Sequence, residues 1–346
     1  MDEAEIRAAR AKGGGDRVLV GLVWTGTSAP GSSFWEGADL AIELAQKDGS
    51  MPRPIETLRE IEDGTLTRSK VIAERMAENE DVVAVIGHRD AEAARVTSVS
   101  YEYSGVLMMA AGSSNRQLTR AGFERIFRLM PTDEELALRL ADHASARGLS
   151  PVLIVYANDV HGRAVANAFE SRAEAVGVKI ADRLAFDSGA LRPLERSLEE
   201  AKLIAPKAVL LVERMPAAKD IIVLLRRSGI DAPVLATDDL DDKAVLSLKE
   251  DIVVATPLGG GDPSDVDVAT AFQAKYGRAP DTWAAQGYLG VKLVTDAMAR
   301  AHSAVPADVA AELRKAGLVK FSARGEPIER ALAVKRVVDD RWSLQR

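Results

Sequence analysis

Residues 82–111 read VVAVIGHRDAEAARVTSVSYEYSGVLMMAA. Two stretches in it, 82–86 and 106–111, are apolar at nearly every position. A strand with one face in water alternates polar and apolar residues. A strand apolar throughout is covered on both faces. The segment joining these two strands mixes polar and apolar residues as an amphipathic helix does. Strand, helix and strand in this order predict a βαβ unit and hence a parallel sheet.

The same rhythm continues outward. Residues 18–24 form a β-rich run, followed by a helical pattern through Trp35, Leu40, Ile42 and Leu44. Residues 55–61 alternate like a half-buried strand, and a helix carries Val71, Ile72 and Met76. Beyond residue 130 the pattern restarts. Thr132 and Glu135 have the spacing of a capping box ahead of Leu136, Leu138 and Leu140. Strands are expected at 152–156, 179–185, 208–212 and 234–236. Of the intervening helices, one ends at Gly177, and another begins at Pro216 and ends at Gly229. After Gly259, Gly260 and Gly261 the chain turns helical again, most clearly over 283–301, and a final strand spans 331–338. Ahead of the first strand, residues 2–12 suit a short Ala-rich helix, and Gly13, Gly14 and Gly15 a flexible joint. The folded body is therefore expected to begin near Val18.

A chain of 346 residues is too long for one small core and fits two α/β lobes. Ligands bind beyond the carboxyl ends of parallel strands, so two such lobes facing each other are expected to share a cleft. The formal charge of −7 comes without a long basic run, which excludes nucleic acid as an expected partner. The absence of Cys excludes disulfides, thiol catalysis and Cys-based metal sites. No run of about 18 apolar residues is present. The segment MDEAEIRAARAKGGGDR at 1–17 has no apolar core of a signal peptide. Two origins fit that segment: a cytosolic chain, or a mature form whose signal has been removed.

Several chemistries lack their signatures. His88, His143, His161 and His302 form no HExxH or other close ligand pair, so no metal site is expected. Residues 26–31 have the spacing of a phosphate loop but continue Ser-Ser without Lys. Neither GxGxxG after the first strand nor GxSxG is found. Asp238, Asp239, Asp241 and Asp242 could hold a cation; a solvated loop at a helix start is the better reading. No catalytic residue and no cofactor are assigned. A two-lobed enzyme such as a sugar-nucleotide transferase would need a nucleotide site, and none is seen.

Five or more segments in order resemble the leucine/isoleucine/valine-binding branch of ABC-transporter solute receptors, over about residues 18–342. VLVGLVWTGTSAPGSSFWEGADLAIELA at 18–45 is similar to that family's first strand, loop and helix. Residues 82–133, including the Ile-Gly-His turn and the Leu-Thr-x-x-Gly-Phe step, are similar to its third and fourth units. WAAQGYLGVKLVTDAMARA at 283–301 and FSARGEP at 321–327 match its late helix and last crossover. The resemblance implies the type I periplasmic binding fold: α/β, two doubly wound parallel-sheet lobes around a cleft, joined by three crossovers near 129–132, 257–261 and 321–330. It places an N-terminal lobe at 18–131 plus 261–328 and a C-terminal lobe at 132–260 plus 329–346, after an extension at 1–17. It also implies a monomeric, non-enzymatic receptor, periplasmic or lipid-anchored. Such a receptor closes by a hinge over an amino acid or related small carboxylate and presents it to an ABC permease. The same fold also serves as a sensor or cytosolic regulator domain, which is the alternative.

The resemblance also points to a site. The small-residue loop that holds a ligand carboxylate maps onto Gly112, Ser113 and Ser114. A loop of this kind exposes N–H groups and hydroxyls to an anion; it also suits a plain strand-to-helix turn with Ser caps. The family's Ser after the Gly-His turn is replaced by Ala91, and Arg89 either substitutes for it or is simply exposed. The ammonium acceptor maps onto Asp238, which could equally be a cap or a structural ion pair. His161 and Arg214 stand where Tyr is frequent. Arg214 either clamps a second anionic group, or neutralises Asp238, or points to solvent. Trp24, at the end of the first strand, is the aromatic residue expected to line the cleft, whereas Trp35, Trp283 and Tyr288 are expected in packing. Ala91 and Arg214 argue against a branched-chain amino acid and for an acidic, aromatic or non-amino carboxylate.

Overall fold

The structure, a computed structural model, describes residues 2–13, 17–26, 32–187 and 189–345. Gly14 and Gly15 of the expected joint, and residues 27–31 of the phosphate-type spacing, lie outside the described residues. The chain divides into two units. One comprises Met1–Pro131 and Gly261–Arg330, the other Thr132–Gly260 and Ala331–Arg346. The chain thus passes between units at three places.

In chain order the first unit contains α1 (Glu3–Gly13), β1 (Val18–Thr25), α2 (Phe34–Asp48), β2 (Ile55–Glu62), α3 (Leu66–Glu78), β3 (Val82–Ile86), α4 (Ala91–Tyr103), β4 (Leu107–Ala110) and β5 (Ile126–Arg128). The second unit adds α5 (Asp133–Ala146), β6 (Val152–Ala157), α6 (Val160–Ala175), β7 (Ile180–Phe186), α7 (Arg192–Ala201), β8 (Ala208–Val212), α8 (Ala217–Arg227), β9 (Val234–Ala236), α9 (Lys243–Leu246) and β10 (Ile252–Thr256). The chain returns to the first unit with α10 (Pro263–Tyr276), α11 (Thr282–Ala301), α12 (Pro306–Lys315), β11 (Lys320–Phe321) and β12 (Pro327–Ile328). It ends in the second unit with β13 (Ala333–Val338) and β14 (Arg341–Gln345).

The first unit's main sheet has the order β2-β1-β3-β4-β5, parallel throughout. The order reverses at β1, so β1 and β3 leave the sheet in opposite winding directions. The crevice at such a switch point receives ligands in open α/β sheets. All five residues of β3 and all four of β4 are buried, as their uninterrupted apolar sequence requires. On β2 the alternation is present but its inward face is acidic near the end. Ile61 is half exposed, whereas Glu60 and Glu62 are buried.

The second unit's sheet has the order β14-β13-β10-β9-β8-β6-β7, with β13 and β14 antiparallel. Its strands alternate between two cores. Leu153, Val155, Val209 and Leu211 face one set of helices, including Leu198, Ile221 and Leu225. Val152, Ile154, Leu210 and Val212 face the other, including Leu140, Val165 and Phe169. The capping box at α5 is formed. Thr132 Oγ1 accepts from the Glu135 N–H, and Glu135 accepts from the Thr132 N–H.

Two expectations need correction. The final strand is not the end of the fold, because β13 turns into β14. Val338 pairs with Arg341 across Asp339 and Asp340, which have φ of 50° and 57°. Two successive left-handed residues make the tight hairpin turn usually signalled by Asn-Gly. Asp tolerates that conformation but signals it poorly.

The N-terminal helix is likewise part of the first unit rather than an appendage before Val18. Arg7 on α1 is 1% exposed. Its Nε donates to Val82 O at 2.8 Å, and Nη2 to Ala77 O at 2.5 Å and Asn79 O at 3.0 Å, while Nη1 donates to Ser104 O. One guanidinium thus satisfies carbonyls left over at the ends of α3 and α4 and the start of β3. Gly105, at φ 77°, makes room for the contact, since a Cβ there would lie 2.6 Å from Ala4 Cα. Arg7→Ala strands these carbonyls away from water. It is expected to cost about 2–3 kcal/mol, read as a lowered urea midpoint with unchanged slope. A loss below about 0.5 kcal/mol would mean that α1 contributes little to the unit.

Candidate functional site

The carboxyl ends of β1, β3 and β4 converge in the first unit. The two loops leaving β3 and β4 touch through glycine. Gly112 N donates to His88 O at 3.2 Å, and a Cβ on Gly112 would lie 2.6 Å from Arg89 O. The small-residue loop is therefore dictated by the close approach of two backbones. Ser113 is fully buried and its Oγ accepts from the Asn115 N–H at 3.3 Å. Ser114 is also buried.

Below the turn lies a polar group that the sequence did not reveal. His88 is wholly buried, with Nδ1 2.6 Å from Glu62 Oε1 and Nε2 2.9 Å from the Tyr101 hydroxyl. Glu62 also accepts from Ser69 Oγ at 2.7 Å and from the Arg89 N–H at 3.1 Å. Burial opposes the charge on Glu62, but His88 and these donors hold its carboxyl below its usual range. The Tyr101 hydroxyl is pushed well above its usual value by burial and by Glu62. The effect is to pin the backbone at His88 and Arg89.

Arg89 continues from that pinned backbone. Its guanidinium carbon lies 3.6 Å from the Trp283 ring centroid and 5.8 Å from that of Trp24. Trp24 is fully buried and stacks on Phe34, with centroids 4.0 Å apart. This corrects the expectation that Trp24 is a lining residue: it backs the platform, and Trp283 is the ring under the cation. Ala91 opens α4 and is buried. The N-terminus of α4 is already capped, because Asp90 accepts from the N–H groups of Glu92 and Ala93, each at 2.9 Å.

The second unit carries its own cluster at the strand ends. His161, in the first turn of α6, has Nδ1 3.1 Å from Asp133 Oδ2 and Nε2 2.6 Å from Asp239 Oδ2. Ionised carboxylates only accept, so both ring nitrogens carry hydrogen and the ring is an imidazolium. Burial alone would lower its pKa; Asp239 and Asp133 overcome that and raise it well above the ordinary value. Asp239 further accepts from Arg214 Nε at 2.9 Å and from Thr237 Oγ1 at 3.0 Å.

The expected residues are thus brought together in part. In the first unit Trp24, Arg89, Ala91, Gly112, Ser113 and Ser114 cluster around one turn. In the second, His161 and Arg214 meet, but through Asp239. Asp238, the expected acceptor, is buried in the adjoining turn, and its carbonyl accepts from the Asp241 N–H at 3.0 Å. Of the three readings of Arg214, neutralisation of a carboxylate is realised one residue further along. The acidic run is engaged locally as well. Asp241 bonds Lys335 Nζ at 3.0 Å, and Asp242 caps α9 by accepting from the Ala244 N–H at 2.8 Å. Among the described residues no group of three His, Cys, Asp or Glu could hold a metal ion. No described helix is long and apolar enough to cross a membrane.

Known proteins share this architecture. The Leu/Ile/Val-binding protein homolog 2 of Brucella abortus is 23% identical over 327 residues, 90% of this chain and 87% of that protein. The amino acid binding protein of Pseudomonas aeruginosa is 25% identical over 167 residues, and this match spans only 45% of that protein and 47% of this chain. The crystal structure of an ABC transporter substrate-binding protein from Desulfitobacterium hafniense, in complex with Leu, is similar with a TM-score of 0.82 at 27% identity. That match covers 95% of this chain and all of that one. The periplasmic binding protein family matches residues 19–339, so the chain belongs to that family.

Proposed function

We propose that the chain is the solute receptor of an ABC importer, without catalytic activity of its own, and that its ligand is a small organic carboxylate. The observation that carries the ligand class is Arg89 laid on Trp283 at the carboxyl ends of the first unit's strands. Ala91 offers no hydroxyl, and Asp90 already occupies the free N–H groups at the start of α4. A guanidinium is charged at every physiological pH and matches a carboxylate geometrically. Stacking on an indole face fixes its plane and contributes about 0.5–2 kcal/mol. The Glu62–His88 group beneath holds the backbone from which it extends. Gly112–Ser114, with no bulky side chain, forms the rest of this wall. Within the second unit, His161, Arg214 and Asp238 are the residues we propose for ligand binding, on the family resemblance alone. Family membership implies an extracytoplasmic protein; an ABC permease is the partner, and the receptor acts as a monomer.

The test is a thermal-shift screen with amino acids, aromatic acids, branched short-chain acids and dicarboxylates. A ligand at 100 times its Kd stabilises the folded protein by about 2.7 kcal/mol, several degrees for a protein of this size. Arg89→Leu is expected to weaken the best carboxylate roughly 10- to 100-fold, the loss of one charge-assisted contact. If no carboxylate shifts the transition, the ligand class is wrong. If Arg89→Leu binds as tightly as the parent, the anion contact lies elsewhere.

A further inference from the structure

Two side chains in the first turns of α11 carry polar atoms that the first unit leaves unanswered. Trp283 is fully buried, and its indole Nε1 has no hydrogen-bond partner. Gln286 is 1% exposed, and its Oε1 has none either. A buried donor or acceptor in this state destabilises the fold, and each such group calls for an explanation. Leucine or methionine at 286 would fill the position without that cost, as Leu293 and Val294 do further along the helix. The place of Gln286 follows from helical spacing. Trp283 faces Arg89 and Trp24. Gly290 faces the ends of β3 and β4, since a Cβ on it would lie 2.7 Å from Ile86 Cγ2 and 3.8 Å from Ala111 Cβ. Gln286 stands between them on the same face, three residues after one and four before the other. It therefore lies beside the carboxyl ends of β3 and β4, where the loops of Arg89 and Gly112 begin.

Resting on the carboxylate reading above, we infer that Trp283 and Gln286 recognise a hydroxyl next to the ligand's carboxylate, so that the ligand is a 2-hydroxy carboxylic acid. The indole Nε1–H only donates, and the Gln286 Oε1 only accepts. A hydroxyl answers both, accepting from the indole and donating to the carboxamide. A methylene in its place answers neither. The position next to the carboxylate follows from Arg89, whose guanidinium carbon lies 3.6 Å from the Trp283 ring centroid. The N–H is on the rim of that ring, so the group it serves is a neighbour of the group Arg89 holds. Arg89 is only half-buried, and its long side chain is the movable part of the cover. A slide of the guanidinium along the ring toward the carboxylate keeps the stack and opens the rim. Both recognising residues stand on one helix of one unit, so α11 alone fixes their spacing.

Calorimetric titration of the full chain with matched pairs tests this: 2-hydroxy-4-methylpentanoate against 4-methylpentanoate, 2-hydroxy-3-phenylpropanoate against 3-phenylpropanoate, and 2-hydroxyglutarate against glutarate. In the pair that binds, the hydroxy acid is expected to bind at least about tenfold tighter, because its rival leaves a buried donor and a buried acceptor unanswered. A plain acid that binds as tightly as its hydroxy partner or tighter overturns the inference while leaving the carboxylate receptor intact. No heat with any of these acids overturns the carboxylate reading itself, and this inference with it. Gln286→Leu separates recognition from a merely structural role. It removes a buried acceptor without a partner, so its urea midpoint is expected to be no lower than the parent's, while the ratio within the pair falls by roughly tenfold. Trp283→Phe keeps an aromatic ring under Arg89 and removes the N–H, and a similar fall is expected. A folded variant of either kind that keeps the parent's ratio overturns the assignment.

Discussion

Gly287→Ala destabilises the first unit by at least about 3 kcal/mol, although alanine is normally the better helix former by about 1 kcal/mol. The reason lies in how closely α2 and α11 approach. A Cβ on Gly287 would stand 2.1 Å from the Phe34 carbonyl oxygen, and one on Gly37 would stand 1.9 Å from the Ala284 oxygen. Both obstacles are backbone atoms, so no change of rotamer relieves either clash. The helices themselves must separate. Phe34 and Trp283 sit on those two helices and form, with Trp24, the stack beneath Arg89, so separation also loosens the platform. Gly290 is an internal control on the same helix. A Cβ there would meet Ile86 Cγ2 at 2.7 Å, a side-chain atom that can give way, and Gly290→Ala is expected to cost much less. Urea unfolding of the three proteins measures the difference. A Gly287→Ala protein within about 1 kcal/mol of the parent would show that the two helices have slack.

The fold was legible because its strongest signals are local. A run such as 82–86 has no polar position, so it can only be a strand covered on both sides, and β3 is one. Thr132 and Glu135 announce α5 by spacing alone. Where the sequence misled, the deciding interaction is distant or conformational. Arg7 reads as a surface charge on an Ala-rich helix. Its burial depends on carbonyls some 70 to 97 positions away. The β13–β14 hairpin depends on left-handed aspartates that carry no glycine signal.

The site divides in the same way. Arg89, Gly112 and Ser113 could be named from their place after buried strands. Trp283 as the ring under Arg89 could not, because it enters from a helix 194 positions later. In the acidic run, chemistry does not distinguish Asp238 from Asp239. Which one faces His161 and Arg214 depends on the short turn that follows β9, and that turn has no pattern of its own.

The Asp239 carboxylate should also dominate the second unit's response to pH. Asp239→Asn keeps the shape of the side chain and removes its charge. His161, side chain 18% exposed, and Arg214 then lose their common acceptor, and the expected cost near pH 6 is about 3–5 kcal/mol, as for other broken buried pairs. The sign of the pH dependence follows from linkage. The groups facing the ring are Asp133 from α5, and Asp239 and Thr237 from the turn after β9, with Arg214 across Asp239. Together they raise the His161 pKa well above its unfolded value near 6.5. A raised folded pKa contributes stability that is fully present below about pH 6.5 and is lost as pH rises through the folded value. The parent should therefore weaken from pH 6.5 upward, and Asp239→Asn should be much flatter over that interval. The gap between the two is widest at pH 6 and narrows at pH 9. Urea midpoints at pH 6, 7, 8 and 9 test this directly. Parallel profiles would mean that His161 is not held as an imidazolium by Asp239.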